Sequence, residues 1–103
     1  MLERFTSETF SPRVGESFRV FPEASTAIEV TLIDVTELGS GSGHGGAAAV
    51  GRVPFSLVFR GPLQPVLPQR TYRVEHDGIG EFDLFLVPIG PDAEGMRYEA
   101  VFT

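Results

Sequence analysis

The side chains best suited to chemistry here are two histidines, His44 and His76, and four carboxylates crowded around the second: Glu75, Asp77, Glu81 and Asp83. A zinc site needs three or four ligands held at about 2 Å, and two histidines on unrelated segments do not supply them. Calcium takes several oxygens, but the alternating loop ligands of an EF-hand are missing. The residues favour a solvated acidic hairpin tip, and no metal is expected.

The glycine-rich stretch "GSGHGGAAAVGR" (41–52) invites comparison with a phosphate loop. Such a loop ends in lysine and Ser/Thr at a helix start, so that amides and an ammonium group meet the phosphates. Here lysine is missing and the stretch runs into a strand, so it reads as slack between two strands. Ser42 and Ser56 have no nucleophile-elbow context. Two carboxylates on neighbouring strands would serve a glycosidase at roughly 5–10 Å, yet among fourteen carboxylates such pairs arise by chance. No enzyme activity and no cofactor are expected.

Arg60, Arg70, Arg73 and Arg97 lie on or beside strands, and Tyr72 and Tyr98 accompany three of them in sequence. Stacking aromatics in a basic groove would bind single-stranded nucleic acid. The balance of charge argues otherwise: fourteen carboxylates oppose eight arginines, lysine is absent, and the formal net charge is −6. An acidic chain repels phosphate backbones, so these arginines are expected to pair with carboxylates.

At 103 residues the chain supports one domain, of a size that buries only about 60–65% of its unfolded surface. Nine phenylalanines and two tyrosines supply much of the core, and no cysteine is present to staple it. The longest apolar run, 84–89, contains a proline and is too short for a membrane span. The opening "MLERFTSETF" has acidic and polar residues where a signal peptide needs an apolar core. The expectation is a cytoplasmic chain, or one exported within an assembly.

The elements that must carry these residues fall into two kinds. In the first segment (1–16), Thr6 is placed to cap a short helical turn. Phe5 and Phe10 have the spacing of a hydrophobic staple, and Glu8 sits at the positive end of the turn. Pro12 should stop the turn, with Gly15 as a pivot. From Ser17 onward six strands are expected, over 17–21, 27–38, 53–60, 70–77, 80–89 and 96–103. In the second, Ile28, Val30 and Leu32 alternate before Ile33 and Val35 break phase, which calls for a bulge near Ile33. Three prolines in "GPLQPVLPQ" (61–69) preclude an internal strand. Asp77-Gly78-Ile79-Gly80 marks a hairpin, and "GPDAEG" (90–95) marks a turn.

The fifth strand is apolar on both faces: Phe82, Leu84 and Leu86 on one, Phe85, Val87 and Ile89 on the other. A strand with one wet face does not look like this. The second face needs a cover, either Leu2, Phe5 and Phe10 of the helical lid or another protein.

The stretches "LERFTSETFSPRVGESFRV", "FRGP", "LPQRTYRVEHDGIG" and "DLFLVPIGPDAEGMRYEAVF" resemble a family of short uncharacterised bacterial proteins. The resemblance spans most of the chain outside the glycine-rich loop. Members tend to accompany phage-tail-collar and tail-fibre-like proteins, which implies an assembly accessory and no catalytic residues.

Together these readings predict a small antiparallel six-stranded all-β barrel or sandwich with a short N-terminal helical turn. It is a single domain over 1–103, with a lid at 1–16 and a flexible loop at 39–51. The expected function is protein–protein contact through strand edges, the outer face of the fifth strand and the loop. Phe85, Val87, Ile89, His44, Arg60 and Tyr72 are the candidate contact residues. A protein partner or homo-oligomer is expected, with neither nucleic acid nor membrane. The alternative is a small-ligand barrel whose mouth presents Tyr72, Arg60 or His44.

Overall fold

The computed structural model describes residues 5–38 and 54–102. Its elements are α1 (Ser7–Phe10), which runs into a 3-10 turn at Ser11–Arg13, and six strands. The strands are β1 (Ser17–Glu23), β2 (Thr26–Glu37), β3 (Phe55–Gly61), β4 (Arg70–His76), β5 (Gly80–Pro91) and β6 (Met96–Phe102). All six pair antiparallel in the order β1-β2-β3-β6-β5-β4 and close on themselves through β1 and β4. The expected choice between barrel and sandwich falls to a barrel. Each strand thereby has a neighbour on both sides over part of its length, although β5 and β6 pair only from Val87↔Glu99 to Pro91↔Met96.

Alternation dictates which side chains fill the barrel. Phe18 and Val20 of β1, Val30 and Leu32 of β2, and Phe55, Leu57 and Phe59 of β3 all point inward. So do Tyr72 and Val74 of β4, Phe82, Leu84 and Leu86 of β5, and Tyr98, Ala100 and Phe102 of β6. The bulge expected near Ile33 is present. Leu32 pairs with Phe59 and Asp34 with Val58, leaving Ile33 as the extra residue. That insertion turns Val35 inward against the core after Leu32, as the phase break requires. A second irregularity lies between Pro88 and Gly90, where Ile89 is the extra residue and Gly90 has φ +108°. Only glycine adopts that backbone without strain.

The two barrel ends are closed differently. At the end where β2, β4 and β6 finish, α1 acts as a stopper. Thr6 donates its N–H to Thr9 Oγ1 at 3.1 Å, and Thr9 donates its N–H to the Thr6 carbonyl at 2.9 Å. The staple expected from spacing is formed, with the Phe5 and Phe10 rings edge-to-face at 5.6 Å. Phe10 is fully buried among Phe18, Phe55, Phe82 and Phe102. Pro12 does not end the turn. It sits within the 3-10 turn Ser11–Arg13 that continues α1, and the reversal follows at Gly15 with φ +94°.

The other end is crossed by 62–69, which must travel from β3 to β4 on the far side of the barrel. Leu67 drops from this crossover into the core. Its N–H donates to the Tyr98 hydroxyl at 2.9 Å, and the Tyr72 hydroxyl donates to the Pro68 carbonyl. The Gln64-Pro65 peptide in the crossover is cis. Among the described residues no helix is long and apolar enough to cross a membrane.

Candidate functional site

The described part of the lid, 5–16, does not cover the second face of β5, as the sequence allowed. Phe5 packs on Phe82 at 5.2 Å and on Phe102 at 6.4 Å, both inward-facing residues. Phe5 therefore joins the aromatic cluster that Phe10, Phe82 and Phe102 form at the open end of the barrel. Leu2, the third proposed lid residue, lies outside the described residues, as do His44 and the 39–51 loop.

The flank is consequently apolar and in contact with water. Phe85 is 47% exposed and Ile89 38% exposed, with Val87 half-buried between them. Register adds a residue that the sequence reading missed. Val87 pairs with Glu99, so Glu99 and Val101, two residues apart on β6, share its outward face. Val101 is 53% exposed. The signal was available: Ala100 and Phe102 alternate inward, which forces Val101 outward. Phe85 and Val101 both lie beyond Val87↔Glu99, the last β5–β6 pair toward the lid.

Charged groups surround this patch. On β5, Glu81 and Asp83 precede Phe85 on the same face, opposite Glu75 and Arg73 of β4. Arg73 stacks over the Phe21 ring at 4.3 Å and reaches Glu75 at 3.8 Å. Glu75 also accepts from Arg19, whose second contact is Asp77 at 3.0 Å. On β6, Arg97 donates to the Gly90 carbonyl at 3.3 Å. Among the described residues, none of Glu81, Asp83 and Glu99 is in an ion pair.

Arg60 and Tyr72 stand apart from this patch. Arg60, at the end of β3, donates from Nε to both carboxylate oxygens of Asp92 at 3.1 and 3.0 Å, and from its terminal nitrogen to Oδ2. Asp92 Oδ1 also accepts the amides of Glu94 and Gly95 at 2.8 and 3.0 Å, so one carboxylate organises the whole β5–β6 turn. The bonds from Arg60, then that from the Glu94 amide, hold the Asp92 carboxyl at about 2. The same pairing raises the Arg60 guanidinium. Gly95 is required here, because a Cβ would strike the Gly61 carbonyl oxygen. Tyr72 lies inside the barrel, where burial pushes its phenol up. Both tyrosine hydroxyls are engaged by the crossover, and neither ring faces outward as a stacking platform.

His76 corrects the expectation of a solvated hairpin tip. It is only 6% exposed and lies against the Phe18 ring at 4.4 Å. Its Nδ1 accepts the amides of Gly78 at 2.9 Å and Ile79 at 3.2 Å. Nδ1 therefore carries no proton, and Nε2–H donates to Glu16 Oε1 at 2.7 Å. The alternation Tyr72, Val74, His76 foretold an inward side chain. Among the described residues no three of His, Asp and Glu converge where they could hold a metal ion.

A family model described as "Domain of unknown function (DUF6916)" matches residues 5–102. The chain belongs to this family. The DUF6916 match runs from the lid to the end of β6 and so takes in every described element. No curated protein and no solved structure matches the chain.

Proposed function

We propose that the chain is a non-enzymatic module that acts by protein–protein contact, using the outer face of β5 and β6. The observation that carries this is the gathering of Phe85, Val87, Ile89 and Val101 on two adjacent strands of a barrel already filled and stoppered. Single exposed apolar side chains are ordinary, but a grouped patch with a charged rim is characteristic of an interaction surface. The resemblance in sequence extends the proposal to an accessory role in a tail-like or fibre-like assembly.

Two features support a non-enzymatic role. The one described histidine has both ring nitrogens committed to the fold, and the best-placed arginine is committed to a turn. The test is affinity purification of a tagged full chain from its own cells, compared with Phe85→Asp and with Glu29→Gln on the opposite strand β2. The proposal expects a stoichiometric partner to be retained by the wild type and by Glu29→Gln, and lost from Phe85→Asp. Retention of the same partner by all three would contradict it.

A further inference from the structure

We infer that the partner segment docking on β5 and β6 carries arginine or lysine among its apolar side chains. This inference rests on the contact reading above and specifies its chemistry. The apolar patch is bordered by Glu81, Asp83 and Glu99, and no described residue neutralises any of them. Cations are close enough to do so and are used elsewhere. Arg73 stands directly opposite Asp83 in register, yet it stacks on Phe21 and reaches Glu75. Arg97, two residues from Glu99 on the same strand, donates to the Gly90 carbonyl instead. Glu81 stands directly opposite Glu75, a like-charge pairing that costs stability in a sheet. Glu75 has Arg19 and Arg73 beside it, and Glu81 has no such relief.

Electrostatic complementarity then selects among occupants. A phosphate-bearing surface, whether nucleic acid or anionic lipid, meets three carboxylates that form no ion pair among the described residues, on a chain of net charge −6. A second copy docked two-fold on this face brings the same three carboxylates against them, because such an interface is made of one patch meeting itself. A segment of another protein with apolar residues against Phe85 and Val101, and guanidinium or ammonium groups against Asp83, Glu81 and Glu99, satisfies both halves of the surface. Complementarity of this kind fixes register and raises the association rate more than it raises affinity.

The test uses three short peptides that alternate valine with arginine, glutamine or glutamate, each titrated into the isotope-labelled full chain and followed by amide shifts. The arginine peptide should move the amides of 81–87 and 99–101 and bind about tenfold more tightly than the glutamine peptide at low salt, as a few exposed ion pairs allow. The glutamate peptide should bind most weakly. The combined variant Glu81→Gln, Asp83→Asn, Glu99→Gln should erase that preference, and Phe85→Asp should abolish binding of all three. Equal binding of the peptides, or a preference unchanged in the combined variant, overturns the basic partner and leaves the contact reading standing. Shifts in the same residues caused by raising the chain's own concentration identify a second copy and also overturn it. Failure of every peptide to move this face counts against it as well. Peptide binding at this face that survives Phe85→Asp overturns the contact reading itself.

Discussion

His76 Nε2 lies 2.7 Å from Glu16 Oε1, joining the end of β4 to the residue that leads from the lid into β1. On its other side the ring accepts two amides of the β4–β5 hairpin. One buried imidazole thus organises a hairpin tip and anchors the lid's exit. His76→Phe keeps a ring against Phe18 but strands the Gly78 and Ile79 amides. Loss of those acceptors should cost about 1–3 kcal/mol, measured by urea unfolding. Glu16→Gln keeps an acceptor for Nε2–H and should cost much less.

The crossover at the opposite end is held by two tyrosine hydroxyls, Tyr98 at Leu67 and Tyr72 at Pro68. Tyr98 is buried and accepts the Leu67 N–H. Tyr98→Phe preserves the ring and removes the acceptor, leaving a buried donor unsatisfied at about 1–3 kcal/mol. Hydrogen exchange at the Leu67 amide should accelerate in this variant, while amides in the middle of β3 stay protected relative to the new global stability.

Asp92 gives a prediction in acid. Its folded carboxyl is held at about 2, below the ordinary 3.8, chiefly by the bonds from Arg60. A depressed folded value means that the ionised form favours the native state, so its contribution is complete above the ordinary value. It is lost as pH falls through the interval down to about 2. Asp92→Asn keeps acceptors for the turn amides but has no proton to bind. The wild type should therefore lose more stability than the variant across that interval. Carboxyl-carbon titration by NMR reads the Asp92 value directly.

Phe10 and Phe85 should respond to substitution in opposite ways. Phe10 is buried in the aromatic stopper, and Phe10→Ala should cost about 3–5 kcal/mol. Phe85 has solvent over its outer side, and Phe85→Asp should change stability by no more than about 0.5 kcal/mol. Parallel denaturant titrations check both values.

Much of this architecture was legible because its signals are local. The six strands, the phase break at Ile33 and the Phe5–Phe10 staple each depend on residues a few positions apart. The bulge was readable since alternation fixes facing, and a change of phase within one strand requires an inserted residue. What remained hidden depends on closure. Whether β1 meets β4 decides barrel against sandwich, and only then does an open aromatic end exist to draw Phe5 and Phe10 away from the flank. His76 was misplaced because its carboxylate neighbours suggested water, although Tyr72 and Val74 set its phase inward. The partner of Asp92 was equally hidden, since Arg60 lies thirty-two positions away. Val101 went unnoticed because its outward face becomes an extension of β5 only through the Val87↔Glu99 pairing.

The contact surface itself is tested most directly by photo-crosslinking. A benzophenone-bearing amino acid replaces Phe85 in one chain and Glu29 in another, and each is irradiated in the cells that make the protein. A discrete crosslinked species from position 85, with none from position 29, is the predicted result. Absence of any adduct at 85, or identical diffuse products at both positions, would contradict the claim that this face meets a partner.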